Sequence, residues 1–468
     1  MTAGILPVRK VLILDDEERV LRTLVRYLRA PHLHIVTCSE IEAAECLLDR
    51  YHFDVLVTDL EVSHLGGLEG IRLIRHASVH FPDLDVIVFS GKLNRQVREI
   101  GTALGVKGLL EKPTGLSDLR ELIDRGSPVP VLRSADGSSG EVSRVAKLDD
   151  VLTERSISAV LQPIVGLNGS SQISSDFGVE GLARGPADSV LRNPELLLGY
   201  ASKKERLFET ELLCIEAVLT EARHLSGVGK LFINVRPDSV SNPRFATALG
   251  DLVHRKGFQR TEIVLELTEQ QSILNLEAFD SSLETLHDLG FGLALDDFGS
   301  GFANLHLLQQ LPLDYLKVDG FFCRNIEHDG RKQSILYSTF QMARDLGIAT
   351  ITERVETASE LEMIKSLGAS YAQGYYFSRP IPGRELARSF APQAPGELRE
   401  DPARFRPAGS APQGGKRDYL KHEISNLLTA IALYAAQSLK RVDEDDPLHD
   451  DLKQIQAASE QAISLAEN

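Results

Sequence analysis

Hydrophobic positions follow two alternating spacings along residues 8–123: short apolar runs, and longer stretches in which apolar residues recur every three or four positions. The short runs predict buried strands at Val11–Leu14, His34–Cys38, Val55–Val57 and Val86–Phe89. The periodic stretches predict amphipathic helices at Val20–Leu28 and Ile41–Leu48. Strands that alternate with helices in this way indicate an α/β domain with an open, doubly wound parallel sheet.

Residues 155–390 repeat the alternation over a longer distance. Apolar runs predict eight strands, at Ser158–Leu161, Phe177–Val179, Leu231–Val235, Ile263–Leu267, Leu293–Leu295, Tyr315–Val318, Thr350–Ile351 and Tyr371–Tyr375. Helical spacing separates most of them, at Lys204–His224, Leu276–Leu289, Arg331–Leu346 and Ala358–Leu367. Eight strands alternating with helices over this length are typical of a closed, TIM-like (βα)8 barrel.

The other segments differ in composition. Residues 126–147 and 391–415 are rich in Pro or in Gly and Ser, and we interpret both as linkers. Residues 416–468 carry two apolar stripes of helical spacing around a turn at Val442–Pro447, which predicts an α-helical hairpin. Such a hairpin buries little alone, so we expect it to form a homo-oligomer, a dimer or higher. The predicted domains are 8–125, 148–390 and 416–468.

Composition excludes several classes of protein. The chain has 468 residues, a formal net charge of −16 and a pI of about 5.4, so a nucleic-acid polymer is not an expected partner. Its four cysteines show no CxxC spacing, which favours buried thiols in a reducing compartment. We find neither a signal peptide nor an apolar run long enough for membrane insertion, and we expect a cytoplasmic protein.

Polar side chains end the strands of the first domain. Asp15 and Asp16 follow the first strand, Asp59 follows the third, and Lys112 follows the fifth apolar segment. Parallel sheets place their ligands at these strand ends, so the three carboxylates are expected to meet. Their hard oxygens suit one Mg²⁺ ion, and Lys112 would offset the remaining charge and bind a phosphoryl oxygen.

These positions resemble those of response-regulator receiver domains, which have a flavodoxin-like fold. The resemblance rests on the acid pair, the single acid, the hydroxyl of Ser90 after the fourth strand, and Lys112 followed by Pro. It implies that Asp59 is the phosphoryl acceptor, that Asp15 and Asp16 bind the metal ion, and that Ser90 is the switch hydroxyl. A cognate histidine kinase or a phosphorylated receiver would then be a partner. Leu109 stands where many members of the family carry the aromatic switch residue, so the resemblance does not imply the usual aromatic readout.

Polar residues also end the strands of the barrel. In order they are Gln162, Glu180, Asn234, Glu266, Asp296 with Asp297, Lys317, Glu353 and Gln373. In a TIM-like barrel these ends converge on the catalytic face. Six of the residues, Glu180, Asn234, Glu266, Asp296, Asp297 and Glu353, offer only oxygen ligands, which favours Mg²⁺ or Mn²⁺ over zinc. Six ligands exceed what one ion needs, so we predict two ions, with Lys317 orienting an attacking water or offsetting charge.

The barrel segment resembles the EAL-domain family of cyclic di-GMP phosphodiesterases over nearly its whole length. The matching motifs are QPI at Gln162, VEGLAR around Glu180, INV at Asn234, ELTE at Glu266, DDFGSG at Asp296, KVD at Lys317, ERVE at Glu353 and QGYYFSRP at Gln373. By this resemblance the six oxygen donors bind metal, Lys317 and Gln373 position the water, and Glu269 braces the loop after Asp297. Arg184, Gln162 and Asp319 would contact the dinucleotide.

The C-terminal stretch HEISNLLTAI resembles the H-box of the dimerisation and phosphotransfer domain of histidine kinases. At 100° per residue, His422 lies opposite the apolar seam of Leu420, Ile424 and Leu427, so we expect it to be exposed. The resemblance makes His422 a candidate phosphorylation site, with Glu423 beside it as a proton acceptor.

Together these observations predict a two-component response regulator that hydrolyses cyclic di-GMP to pGpG under control of receiver phosphorylation. Two other interpretations remain open. The barrel would be a catalytically inactive cyclic di-GMP sensor if it bound the dinucleotide without hydrolysis. The chain would be a phosphorelay adaptor if the barrel were vestigial and His422 carried the signal.

Overall fold

A computed structural model describes residues 8–62, 70–91, 93, 95–125, 142–167, 178–225, 229–268, 276–299 and 305–390. These residues belong to one compact unit, Met1–Ala391. The second unit, Pro392–Asn468, lies outside the described residues, and so do the predicted hairpin, His422 and the linker at 391–415.

The N-terminal domain is a parallel sheet covered by helices on both faces. Its strands are β1 Arg9–Leu14, β2 Leu33–Cys38, β3 Val55–Thr58, β4 Asp85–Ser90, β5 Gly108–Glu111 and β6 Val142–Arg144. Its helices are α1 Glu18–Leu28, α2 Ile41–Arg50, α3 Gly70–His80, α4 Arg95–Ala103 and α5 Leu116–Arg125. The strand order is β5-β4-β3-β1-β2-β6, and every neighbouring pair is parallel, which confirms the doubly wound sheet.

Strand β6 was not predicted, because residues 126–147 were interpreted as a linker. Val142, Ser143 and Arg144 instead pair in parallel with Ile35, Val36 and Thr37 of β2. Val145 and Leu148, which follow the strand, are buried. A strand of three residues is too short to show a hydrophobic period, and its pairing depends on the free edge that β2 offers.

The second domain is a closed eight-stranded barrel. Its strands are β7 Ser158–Gly166, β8 Gly178–Arg184, β9 Lys230–Val235, β10 Ile263–Thr268, β11 Gly292–Phe298, β12 Tyr315–Val318, β13 Ala349–Thr352 and β14 Tyr371–Gln373. Its helices are α6 Leu148–Glu154, α7 Pro194–Lys203, α8 Leu207–Ala222, α9 Pro237–Val240, α10 Phe245–Arg255, α11 Leu276–Asp288, α12 Leu305–Gln310, α13 Gly320–Cys323, α14 Gly330–Asp345, α15 Ala358–Leu367 and α16 Gly383–Phe390.

One strand departs from the predicted (βα)8 pattern. Strand β7 runs antiparallel to both of its neighbours, β8 and β14, whereas the other six strand pairs are parallel. Gln162 therefore lies within β7, opposite Glu180, and does not end a strand. A fully buried apolar run carries no signal of chain direction, so the sequence could not reveal the reversal.

A continuous apolar cluster surrounds the barrel and packs its strands against the outer helices. Local signals fix where these helices begin and end. Thr357 and Glu360 form a reciprocal capping box at the start of α15, and Gly368 ends that helix with a φ of 98°. Among the described residues, no helix has the length and apolar character needed to cross a membrane.

Candidate active site

Lys317 lies at the centre of the carboxyl ends of the barrel strands, and its side chain is 1% exposed. Its Nζ lies 2.8 Å from Glu266 Oε1, 2.9 Å from Glu353 Oε1, 3.1 Å from Asp296 Oδ1 and 3.6 Å from Glu180 Oε1. Four carboxylates from four different strands or strand ends thus share one ammonium group. The structure brings together the acids that the sequence placed at successive strand ends.

Amide side chains complete this network. Asn234 Nδ2 donates to Glu180 Oε1 at 3.0 Å and to Glu266 Oε2 at 2.9 Å. Gln373 Nε2 donates to Glu180 Oε2 at 2.6 Å and to Gln162 Oε1 at 3.0 Å. Gln373 Oε1 is buried and has no hydrogen-bond partner among the described residues, so it remains available as an acceptor.

The two adjacent acids of β11 sit at an irregularity in the strand. The register between β11 and β12 shifts between Leu295 and Phe298, and Asp297 has a φ of 55°. A left-handed backbone at a non-glycine residue is costly, and such positions cluster at functional sites. The shift turns both carboxylates toward one region, because oxygens of Asp296, Asp297 and Glu353 lie within 4.8 Å of one another.

The charges of the cluster shift its pKa values strongly. Burial alone would lower the pKa of Lys317, but Asp296, Glu180, Glu266 and Glu353 outweigh it and raise that pKa well above its usual value. Burial, followed by nearby carboxylates, raises the pKa of Glu353 to about 8 and that of Glu266 well above its usual range. Negative charge therefore exceeds positive charge among the described residues of this cluster.

Burial and the neighbouring Asp296 and Asp319 raise the pKa of Asp297 to about 6. Further positive charge would relieve this excess. The donor set consists of carboxylate and amide oxygens, which suits hard divalent cations. Asp296, Asp297 and Glu353 form a ready group of ligands, and Glu180, Asn234 and Glu266 lie on the neighbouring strands. The residues present therefore fit Mg²⁺ or Mn²⁺.

The predicted substrate contacts lie at the rim of this cluster. Arg184, at the end of β8, is half-buried and donates from Nη1 to the Ala183 carbonyl at 2.8 Å. Asp319 is buried and caps α13 by accepting from the Phe321 amide at 2.7 Å. Glu269 lies outside the described residues.

Arg354, which is not among the predicted site residues, also lies at this rim. Its Nη2 is 3.6 Å from Asp319 Oδ2, and its φ is 54°. Arg354 is the second residue of the ERVE motif. Its backbone is in the left-handed region, which favours glycine, so an arginine at this position is the signal that could have identified it. The guanidinium adds a second positive group beside the acids.

The N-terminal domain carries the second acidic site. Oxygens of Asp15, Asp16 and Asp59 lie within 4.8 Å of one another at the ends of β1 and β3. Lys112 forms ion pairs with Asp15 and Asp59, and Ser90 Oγ donates to Asp59 Oδ1 at 2.6 Å. Burial raises the pKa of Asp15 to about 6, although Lys112 opposes the shift. All five predicted residues of this site therefore meet, and their oxygens suit one Mg²⁺ ion.

Two known families match different parts of the chain. Residues 145–380 match the family described as EAL domain, and residues 11–124 match the response regulator receiver domain. The cyclic di-GMP phosphodiesterase RocR of Pseudomonas aeruginosa is 27% identical over 386 residues, which cover 80% of this chain and 96% of RocR.

Other relatives match one domain. The cyclic di-GMP phosphodiesterase PdeB of Shewanella oneidensis is 40% identical over 128 residues, which cover 27% of this chain and 15% of PdeB. Among solved structures, a manganese/cy-diGMP complex of BlrP1 from Klebsiella pneumoniae is 30% identical, covers 49% of this chain and 56% of that chain, and has a TM-score of 0.44.

Proposed function

Because the chain belongs to the EAL domain family and carries a receiver domain before the barrel, we propose that it is a response regulator that hydrolyses cyclic di-GMP. The alignment with RocR supports this proposal, since it spans both domains and nearly the whole of that phosphodiesterase. The observation that carries the proposal is the complete oxygen-donor set around Lys317. A barrel that only bound the dinucleotide would not need to retain every one of these acids.

Hydrolysis adds water to one phosphodiester of the ring. The water oxygen bonds to phosphorus, the bond to the ribose oxygen breaks, and the proton passes to that oxygen, which gives linear pGpG. Two Mg²⁺ or Mn²⁺ ions, held by Glu180, Asn234, Glu266, Asp296, Asp297 and Glu353, would supply Lewis acidity and charge neutralisation. Lys317 and Gln373 lie within this cluster, where they would hold the attacking water and stabilise the developing charge.

The rim residues would bind the rest of the dinucleotide. Arg184 offers a guanidinium to a phosphate, because among the described residues its hydrogen bonding is limited to Nη1 and the Ala183 carbonyl. Gln162 and Asp319 would contact the dinucleotide, Gln162 by donating or accepting hydrogen bonds and Asp319 by accepting them. Glu269 would brace the loop after Asp297, as the resemblance implies.

Product analysis tests the proposal. Purified protein is incubated with cyclic di-GMP in Mg²⁺, in Mn²⁺ and in EDTA, and the nucleotides are separated by chromatography. The proposal requires pGpG in the metal-containing reactions and none in EDTA. Binding without any product in either metal would favour a sensor.

Receiver control is the second part of the proposal. A phosphoryl group on Asp59 would accept hydrogen bonds from Ser90 Oγ and Lys112 Nζ, which already contact the Asp59 carboxylate. Asp15, Asp16 and Asp59 would hold one Mg²⁺ ion beside it. The phosphoryl group would come from a cognate histidine kinase or a phosphorylated receiver. A change in hydrolysis rate on addition of a phosphoryl donor, absent in Asp59→Asn, tests this control.

The C-terminal hairpin enters the proposal from its sequence alone. Its two apolar stripes favour pairing with another copy of the chain as a four-helix bundle. His422 would then be an exposed phosphotransfer site, fed by a partner kinase or by Asp59. An acid-labile, base-stable phosphoryl label that His422→Ala removes would support the transfer.

A further inference from the structure

Receiver helix α2 packs directly against barrel helix α7. One apolar cluster contains residues of both helices, among them Cys46 and Leu47 from α2 and Leu196 and Leu197 from α7. The Cys46 side chain lies against the backbone of α7, because a Cβ added at Gly199 would lie 3.1 Å from Cys46 Sγ. The two domains therefore share a core, and a movement of α2 would be transmitted to α7.

Charged side chains ring this apolar contact with complementary signs. Lys203 Nζ lies 2.9 Å from Asp49 Oδ2 and 4.0 Å from Glu45 Oε2. Lys204 Nζ lies 2.9 Å from Glu40 Oε1, at the start of α2. Further pairs join Tyr200 to Glu40 and Arg50 to Glu195. These ion pairs fix the position of α2 relative to α7. The acidic groups come mainly from the receiver, and the basic groups come mainly from the C-terminal end of α7.

The same acids of α2 also contact α3, the helix that begins beside the phosphorylation site. Arg72 of α3 lies 3.2 Å from Glu45 Oε1, and His76 Nε2 lies 3.1 Å from Asp49 Oδ1. Gly70, the first residue of α3, packs so closely that an added Cβ would lie 2.2 Å from the carbonyl oxygen of Asp59. Glu45 and Asp49 are therefore shared between a helix that adjoins Asp59 and a helix of the barrel.

On the barrel side, α7 leads into α8, which packs on the strands that carry the active site. An added Cβ at Gly181, next to Glu180, would lie 2.1 Å from Val218 of α8. Glu211 of α8 is 1% exposed and accepts at Oε1 from the backbone amide of Arg236 at 2.6 Å. Arg236 follows Asn234 by two positions. Helix α8 thus touches the chain beside two proposed metal ligands.

We propose that the contact between α2 and α7 is the surface through which the receiver acts on the barrel. A change at Asp59 displaces α3 and alters how Arg72 and His76 share Glu45 and Asp49 with Lys203. The helix pair α7–α8 then shifts against β8 and β9 and changes the placement of Glu180 and Asn234. This inference rests on the proposed function. The contact between α2 and α7 takes the place of the usual aromatic readout, which Leu109 cannot provide.

Charge reversal tests this contact. Asp49→Lys and Lys203→Asp each place like charges together, and the double variant restores an ion pair in the opposite sense. Arg95→Asp is the matched control, because it breaks an exposed pair with Glu99 within α4, away from α7. Each full-length protein is assayed for hydrolysis with Mg²⁺ and with or without beryllofluoride, a phosphoryl mimic.

We expect the ratio of the rates with and without beryllofluoride to lie within about twofold of 1 in each single variant, and to return to the wild-type ratio in the double variant. The Arg95→Asp control should keep the wild-type ratio. Single variants that hydrolyse cyclic di-GMP and respond as the wild type does would overturn the inference while leaving the proposed function intact.

Hydrogen exchange supplies a readout that does not need hydrolysis. On addition of beryllofluoride, exchange should change in peptides from α3, α2, α7 and α8, and the change in α7 and α8 should vanish in Lys203→Asp. A response in α3 without one in α7 would contradict the inference even if the barrel proved inactive. If beryllofluoride changed hydrogen exchange nowhere in the wild-type protein, both receiver control and this inference would be contradicted.

Discussion

Lys317 Nζ and Glu266 Oε1 form an ion pair of 2.8 Å in the interior of the barrel, with side chains 1% and 0% exposed. A buried ion pair is expensive to desolvate, so it contributes little net stability by itself. Here three more carboxylates converge on the same ammonium. The pair is thus part of a site that concentrates negative charge. This charge favours the binding of cations, and without cations the repulsion among the carboxylates destabilises the folded protein.

Lys317→Met should destabilise the protein strongly in EDTA. The substitution leaves several buried carboxylates without a counter-charge, and losing one partner of a buried pair typically costs about 3–5 kcal/mol. Mg²⁺ should recover much of the loss, because it replaces the missing positive charge. Urea unfolding in EDTA and in Mg²⁺ measures both effects.

Lys107→Met is the control for that substitution, since the Lys107 side chain is 60% exposed and its partner Asp85 keeps a second ion pair with Arg9 at 3.2 Å. Exposed pairs contribute about 0–1 kcal/mol, so this variant should unfold nearly as the wild type does. Equal stability of the two Lys→Met variants in EDTA would show that Lys317 does not balance the acids.

Glu211→Gln should stabilise the protein at alkaline pH. Burial raises the pKa of Glu211 from 4.5 to about 7, so the folded state binds a proton more tightly than the unfolded state does. That contribution is complete below the unfolded pKa and is lost as pH rises through the folded pKa. Gln accepts the same hydrogen bond from Arg236 without ionising, so it avoids a loss of about 3 kcal/mol above pH 7.

The free energy of unfolding, measured by urea between pH 5 and pH 9, checks this expectation. The gap between Glu211→Gln and wild type should widen as pH rises. Glu209→Gln lies on the same helix with an exposed carboxylate and should show no such trend. A gap that stays constant with pH would mean that Glu211 remains ionised throughout.

Calcium should inhibit hydrolysis. Ca²⁺ takes more oxygen ligands at longer distances and looser geometry than Mg²⁺, so it would bind the acids and misplace the attacking water. Titration of Ca²⁺ into a Mg²⁺ reaction should lower the rate progressively. Full activity with Ca²⁺ as the sole divalent ion would contradict the proposed geometry.

Truncation after Phe390 should lower the oligomeric mass if the C-terminal hairpin pairs with another copy. A hairpin this short would bury little apolar surface by itself, so association with another copy is the expected way to bury the rest of the two apolar stripes. Light scattering of the full chain and the truncated chain measures the change. An unchanged mass would assign oligomerisation to another surface.

The sequence predicted most strands and the clustering of most candidate site residues, because both signals are local. Apolar runs identify strands such as Leu293–Leu295, and an acid directly after a run marks the C-terminal part of a strand, as Asp296 does in β11. The carboxyl ends of barrel strands converge, so polar residues at successive strand ends of the sequence could be predicted to cluster without knowledge of the packing. For this reason Lys317 could be predicted to lie in the acidic cluster before its contacts were known.

The features that escaped prediction depend on tertiary pairing. Strand β7 runs antiparallel, but an apolar run reads the same in either direction. Strand β6 exists because β2 has a free edge. The contact of Cys46 with α7 joins helices 150 residues apart in sequence, and its ion pairs have no spacing that would reveal them. Helix α7 itself was not predicted, because PELLLGYASK shows no amphipathic period.

The most direct test of the central claim compares Glu180→Ala, Asp296→Ala and the exposed control Asp251→Ala in one cyclic di-GMP hydrolysis assay with Mg²⁺. We predict that wild type and Asp251→Ala release pGpG, while both ligand variants fall to the rate measured in EDTA, because the acids that would hold the metal are gone. Calorimetric titration with the dinucleotide accompanies the assay. Tight binding by a wild-type protein that releases no pGpG in Mg²⁺ or Mn²⁺, or undiminished hydrolysis by Asp296→Ala, would contradict the account.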